Sequence, residues 1–207
     1  RAVRQYAADE SEALNAIAAI GIANSVMLVM LMPIFGLAQG VQPIFGFNYG
    51  ATQHRRVYDA FILVAKVATI ICLISWLCII GTAPWLARAF TRDRGLIEIA
   101  SPALRKMGLA FPVIGISIMT STYFQSIGRP LFAILLTLLR QAIILIPLLL
   151  WLPRWMGLGG IWYAMPASDL LTAFFVWFII FREMSQLRRI ERFISNHPLD
   201  ALPVAES

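Results

Sequence analysis

Charge is scarce in this sequence. Asp, Glu, Lys and Arg make up 14% of its 207 residues and hydrophobic residues 59%. Soluble chains are typically about 25% charged and ~45–50% apolar, so a soluble globular domain is excluded. From Ala13 to Gln53 there is no charged residue at all. Cysteine is nearly absent: Cys72 and Cys78 lie in one apolar run, spaced so that they share a helix face poorly. A structural disulfide or a metal site is therefore not expected. The two histidines, His54 and His197, have no ligand-like neighbours. There is no Ser/His/Asp arrangement, no phosphate loop and no zinc helix motif, so no enzyme and no cofactor are expected. Asp169 is the one acid deep in an apolar run, which excludes an aspartyl dyad within this chain. No stretch alternates basic and aromatic residues, so nucleic acid is not an expected partner. The chain begins at Arg1 without a signal-peptide layout, and a fragment lacking an N-terminal portion is expected.

What is present is a series of long apolar runs with short polar breaks, the pattern of an all-α polytopic membrane helix bundle embedded in a lipid bilayer. Residues 1–12 read as a polar loop or helix remnant, 13–182 as the transmembrane bundle and 183–207 as a cytoplasmic tail. Five spans are expected. The first starts near Ala13, where Ala16, Ala19, Ala23 and Ser25 permit close helix approach. Pro33 predicts a kink, and Asn48-Tyr49-Gly50 a stop with Gly or Asn in the left-handed position. The second runs from an N-cap at Thr52 to about Gly81, followed by an interfacial segment from Trp85 to Asp93. The third covers about Leu96 to Ile127 with Pro112 inside. After the tight turn Gly128-Arg129-Pro130, the fourth covers Pro130 to Leu152. A break at Leu152–Gly160 precedes the fifth, Ile161 to Phe181. Beyond it, Leu187, Ile190, Phe193 and Ile194 form an apolar stripe among arginines, as in a helix lying along or leaving the membrane. His197–Ser207 read as a disordered tail.

Five spans place the two ends on opposite sides. Trp85, Trp151, Trp155 and Trp162 then fall at one face, as an interfacial aromatic belt would. Arginines divide almost evenly between the faces, so charge alone does not orient the chain; only the cluster Arg182, Arg188, Arg189 and Arg192 favours a cytoplasmic tail.

The stretch from Pro33 to Ala51 is apolar yet interrupted by groups that a plain anchor avoids: Pro33, Gly36, Gln39, Gly40, Gln42, Pro43, Gly46, Asn48 and Gly50. Gly36/Gly40 and Gly46/Gly50 have the spacing of helix-packing faces, and the prolines suit a hinge. Lys66, Arg140 and Asp169 lie inside spans. Arg140 and Asp169 each fall roughly 13–15 Å from their own end of the membrane at ~1.5 Å per residue. Charge at that depth is costly unless it faces the bundle interior or a wet cavity. Arg140 and Asp169 are expected to pair or to line a polar cavity; a salt bridge that only locks two helices is the alternative. The amides of Gln39, Gln42, Asn48 and Gln125, with Tyr123, could bind a ligand or bridge helices. Met27, Met30 and Met32 could line an adaptable apolar surface or simply contact lipid.

The string Pro33-Ile-Phe-Gly-Leu-Ala-Gln-Gly-Val-Gln-Pro-Ile-Phe-Gly-Phe-Asn-Tyr-Gly-Ala51, followed by Arg56-Val57, resembles the eighth helix and following loop of the multidrug and toxic compound extrusion (MATE) transporters. Tyr123-Phe-Gln-Ser-Ile-Gly-Arg-Pro130 is similar to that family's link between helices ten and eleven. Leu139-Arg-Gln141 with Ile146-Pro147 resembles helix eleven, and Gly157-Leu-Gly-Gly-Ile-Trp162 through Asp169 the start of helix twelve. The resemblance covers roughly residues 13–185. It implies an inner-membrane, multi-pass antiporter of two six-helix lobes, exchanging proton or sodium for amphipathic, often cationic drugs. This chain would supply helices eight to twelve; its partners would be helix seven and the N-terminal lobe of the same transporter. The Asn48–Arg56 loop and the tail would be cytoplasmic. The family's coupling acids lie mainly in helix one, and in some members in seven and ten. The helix-ten equivalent here has only Glu98, at its start, so no cation site is assigned and the fragment alone is expected not to confer resistance. Gln39, Gln42, Tyr123, Gln125, Arg140 and Asp169 are the substrate-pathway candidates. A flippase for lipid-linked sugars, of a related fold, and a non-transporting structural subunit are the alternatives.

Overall fold

The computed structural model describes residues 10–196. All regular structure among them is helical, and five stretches are long and apolar enough to cross a membrane: Leu14–Gly50, His54–Arg88, Arg94–Ser126, Pro130–Trp155 and Gly160–Ile190. The helices are α1 (Glu10–Gly50), α2 (His54–Arg88), α3 (Arg94–Met107), α4 (Phe111–Ser126), α5 (Pro130–Leu138), α6 (Ile146–Met156) and α7 (Leu158–Asn196). A 3-10 turn, Gly108–Ala110, joins α3 to α4, and a π-helical stretch, Leu139–Leu145, joins α5 to α6.

α1 stays helical through Pro33 and Pro43. Its buried stripe of Ala16, Ala19, Ala23 and Val26 faces the core, and α1 packs against α2 and α3. Its end is a Schellman motif. The Gln53 N–H reaches the Asn48 carbonyl at 2.9 Å, and the Thr52 N–H reaches that of Tyr49 at 3.0 Å. The left-handed residue is Thr52, at φ 57°, rather than Asn48 or Gly50. Thr52 therefore closes α1 instead of capping α2, whose N-cap is Gln53 without a side-chain cap bond.

α2 runs to Arg88, past the expected end at Gly81. It bends at Thr82 (φ −118°, ψ 20°), two residues before Pro84, because the proline ring restricts the backbone ahead of it. Trp85 thus belongs to α2 and not to a separate interfacial segment. Asp93 caps α3 with a bond from the Gly95 N–H at 2.9 Å, so the third span begins at Arg94. The 3-10 turn sits where Pro112 has no N–H for the Gly108 carbonyl. α6 and α7 meet at Gly157 (φ 58°), a backbone shape that glycine adopts without strain. α7 then continues without a break from Leu158 to Asn196, well beyond Phe181. The helical stripe expected beyond Phe181 is therefore continuous with the helix of the fifth span. Residues 1–9 and the tail segment His197–Ser207 lie outside the described residues.

The bundle holds together by close helix approach around small residues. A Cβ on Gly115 of α4 would stand 2.9 Å from Cys72 Sγ and 3.0 Å from the Ala68 carbonyl oxygen of α2. A Cβ on Gly46 would lie 3.2 Å from the Ser126 carbonyl oxygen. Gly36, Gly40 and Gly50 meet nothing within 4 Å, so the expected packing face at Gly36/Gly40 is not used within this bundle. Leu63, Ile70 and Leu77 of α2, Leu131 and Leu135 of α5, and Phe174, Phe178 and Phe181 of α7 are exposed, forming apolar outer faces suited to lipid. Lys66 is exposed beside Leu63 and Ile70 and does not point into the bundle, contrary to the expectation for a charge inside a span. Its long stem lets the ammonium reach toward the membrane edge.

Candidate functional site

Two adjoining clefts open between α1, α4, the π-helical stretch and α7. One, of about 310 Å³, is lined by Gln39, Ser121, Gln125, Thr137, Arg140 and Gln141, among others. The other, of about 280 Å³, includes Asn24, Met27, Arg140, Gln141, Ser168 and Asp169. Arg140 and Gln141 border both. These two residues lie in the stretch with π geometry, a form often found at functional sites.

Arg140 Nε lies 2.5 Å from Asp169 Oδ1. The carboxylate side chain is 8% exposed and the guanidinium side chain 43% exposed. Asp169 is thus held inside the wall while Arg140 spans from wall to cleft. Proximity to an opposite charge offsets part of the cost of taking the carboxylate out of water. The bond uses Nε, and no other partner of Arg140 is recorded among the described residues, leaving its Nη donors for a ligand or water.

Most hydroxyls in the wall bond to their own helix. Thr137 donates to the Ala133 carbonyl at 2.9 Å, Thr172 to that of Ser168 at 2.7 Å, and Ser168 to that of Met165 at 2.8 Å. Each keeps a lone pair free to accept. Gln39, Gln125 and Gln141 are exposed to the cleft side, with no recorded side-chain partner among the described residues. Pro43 adds a second polar group at Gln39: it has no N–H to give the Gln39 carbonyl four residues earlier.

The structure thus brings Gln39, Gln125, Arg140 and Asp169 to one region. Gln42 is half-buried on α1 and lines neither cleft. Met27 lines the second cleft, while Met32 is exposed and Met30 packs against the core. Asn48 bonds back to the Ile44 carbonyl at 2.8 Å. Tyr123 is elsewhere. It is fully buried, edge-on to Phe45 at 5.6 Å and to Phe61 at 5.7 Å. Its hydroxyl donates to Glu183 Oε1 at 3.2 Å, and Arg129 Nη1 approaches the same oxygen at 3.6 Å. That cluster ties the end of α4 and the following turn to α7. Sequence reading missed Glu183 because it was assigned to the tail, and missed Gln141 although it adjoins Arg140. Asn24 gave no signal beyond being an amide in an apolar run. No group of three or more potential metal ligands occurs among the described residues.

The MatE family model matches residues 13–151. The FAD transporter of Shewanella oneidensis is 26% identical over 157 residues, which cover 76% of this chain and 35% of that protein. The multidrug export protein MepA of Staphylococcus aureus (strain N315) is 27% identical over 168 residues, covering 80% of this chain and 36% of that protein. The solved structure of the MATE multidrug transporter DinF-BH, in a ligand complex, superposes with a TM-score of 0.73 at 34% identity, covering 86% of this chain and 39% of that one. The chain therefore spans about a third of the length of the curated relatives it matches. By the match over most of its length, and by a fold shared with solved members, this chain belongs to the MatE family of MATE transporters.

Proposed function

We propose that this chain forms the larger part of one lobe of a cation-coupled antiporter, driven by proton or sodium, that exports amphipathic organic compounds. The twin clefts around Arg140 are its share of the substrate path, facing a partner lobe. The observation that carries this reading is the Arg140–Asp169 pair set in a wall that also presents three amides without side-chain partners among the described residues. A pair that only locked two helices would need neither the unpartnered amides nor a half-exposed guanidinium. Polar and ionisable groups held at membrane depth in a cavity mark substrate pathways in transporters. Support for the substrate class comes from the relatives named for multidrug export. The coupling ion is assigned to no residue of this chain.

Efflux measured in everted vesicles, with the transporter expressed at its natural length, tests this. Gln39→Ala, Gln125→Ala and Arg140→Gln should each lower export of a fluorescent amphipathic dye several-fold at unchanged membrane abundance. Wild-type rates in all three would exclude the clefts as the path.

A second reading is favoured by the sign of the available charge. Asp169 is already engaged, so the charged donors left in the cleft are those of Arg140, which suits an anionic substrate. The relative named as an FAD transporter is consistent with this. Selective loss of flavin-nucleotide transport over dye transport in Arg140→Gln would support it. A flippase of lipid-linked sugars is less well supported, because Lys66, the other intramembrane cation, is outside the clefts.

A further inference from the structure

A separate groove of about 220 Å³ lies between α2 and α7, outside the Arg140 clefts. Its lining is apolar and aromatic along its length, with Ala65, Ile116 and Trp177 toward the bundle centre and Phe61 and Met184 nearer the end. At that end sit Tyr58 and Arg188. Arg188 is exposed, lies over the Tyr58 ring with its guanidinium carbon 4.3 Å from the centroid, and bonds the Tyr58 hydroxyl through one Nη. The remaining guanidinium donors have no recorded partner among the described residues. From Arg188 back to Trp177 the groove extends roughly 16 Å along α7 at ~1.5 Å per residue.

The geometry points to a bound anionic glycerophospholipid: one acyl chain lying in the groove and its phosphate held by Arg188. Three features agree on this occupant. The groove is flanked by exposed Phe178 and Phe181 on α7, and its other helix presents exposed Leu63 and Ile70, so it adjoins surface fit for lipid. Its single cation stands at the end of the bundle carrying the α1–α2 turn, where a headgroup would sit. Basic pockets between membrane helices hold anionic headgroups, and an arginine fork matches phosphate geometry. The lipid would bridge α2 and α7 and so stiffen one wall of the bundle.

Native mass spectrometry of the transporter at its natural length, released from mild detergent and titrated with phosphatidylglycerol or phosphatidylcholine of identical acyl chains, tests the site. The wild-type protein should retain phosphatidylglycerol about fivefold better, the worth of one basic residue beside an anionic surface. Arg188→Gln should abolish that preference, and Arg188→Lys should restore part of it. Ala65→Phe, which fills the inner end, should reduce retention of both lipids while the protein keeps its wild-type elution volume. Equal retention of the two lipids by wild type, an unchanged preference in Arg188→Gln, or no retained lipid because a further segment or a second copy fills the groove would each overturn the proposal.

Discussion

Arg140 and Asp169 differ in how far each is withdrawn from water, and that asymmetry sets what a substitution does. Asp169 is buried, so Arg140→Met leaves a carboxylate in the wall without its partner. Removing one partner of a buried pair costs ~3–5 kcal/mol in general; here the open cleft lets water reach the site, so a loss of about 2 kcal/mol is expected. Asp169→Leu leaves the half-exposed guanidinium, which water can solvate, and should cost less. The double variant Arg140→Met/Asp169→Leu should be more stable than Arg140→Met alone, since replacing both partners removes the stranded charge. Thermal unfolding of the detergent-purified transporter provides the comparison. Strictly additive losses would mean that the two groups do not act as a pair. Tyr123 shows the same logic at a buried phenol: Tyr123→Phe loses one hydrogen bond to Glu183, which retains Arg129.

Among the helices, glycine matters where two backbones meet and not wherever the spacing looks suggestive. Gly115→Ala would force α4 away from α2, because the nearest atoms are the Ala68 carbonyl and the Cys72 sulfur and the carbonyl cannot turn aside. A loss of ~1–3 kcal/mol, the range for overpacking, is expected. Gly36→Ala and Gly40→Ala meet open space in this bundle and should be neutral or slightly stabilising to its helices, since alanine favours the helix by about 1 kcal/mol over glycine. Urea or thermal unfolding of the three variants separates the cases; equal destabilisation at all three positions would refute the assignment. Much at this scale was legible in the sequence. The five spans followed from the charge-free runs, and the turn at Gly128–Pro130 from glycine and proline; the end of α1 was expected at Asn48–Gly50, and its left-handed residue proved to be Thr52. Helix ends set by tertiary contacts were not. α2 persists past Gly81 because Ala83 and Ala87 bury fully in the core, and α7 persists past Phe181 because Met184 and Leu187 do the same. Of the two GxxxG pairs, Gly36/Gly40 has no neighbour and only Gly46 of Gly46/Gly50 meets another helix, because spacing does not say which face has a neighbour, while the lone Gly115 carried no motif. Pairing of Arg140 with Asp169 was legible from depth alone; the π winding that places Gln141 beside them was not.

At the scale of the molecule, both ends of the bundle carry cations resting on rings. Arg88 stands over Trp85 at 5.2 Å at one end, while Arg188 over Tyr58 marks the other. Such pairs suit the headgroup region, where a ring can remain in the apolar layer and the charge in water. We propose that the end with the α1–α2 turn faces the cytoplasm, as the resemblance led us to expect. Gln53→Cys should then react with a membrane-impermeant maleimide only in inside-out vesicles, and Thr91→Cys only in intact cells or right-side-out vesicles. The reverse pattern would invert the orientation; labelling of both from one side would contradict the count of spans.

The π-helical stretch Leu139–Leu145 has a kinematic consequence. Hydrogen bonds that skip one further residue make the chain wind more slowly than in an α-helix. The residues of α6 are therefore phased differently, relative to α5, from what an unbroken helix would give. Tightening this stretch to α winding would turn Arg140 about the helix axis without tilting either flanking helix. The charge bordering both clefts is mounted on a torsional joint, and a one-residue deletion between Leu139 and Leu145 would act as a twist applied to that joint rather than as a shortening of the span.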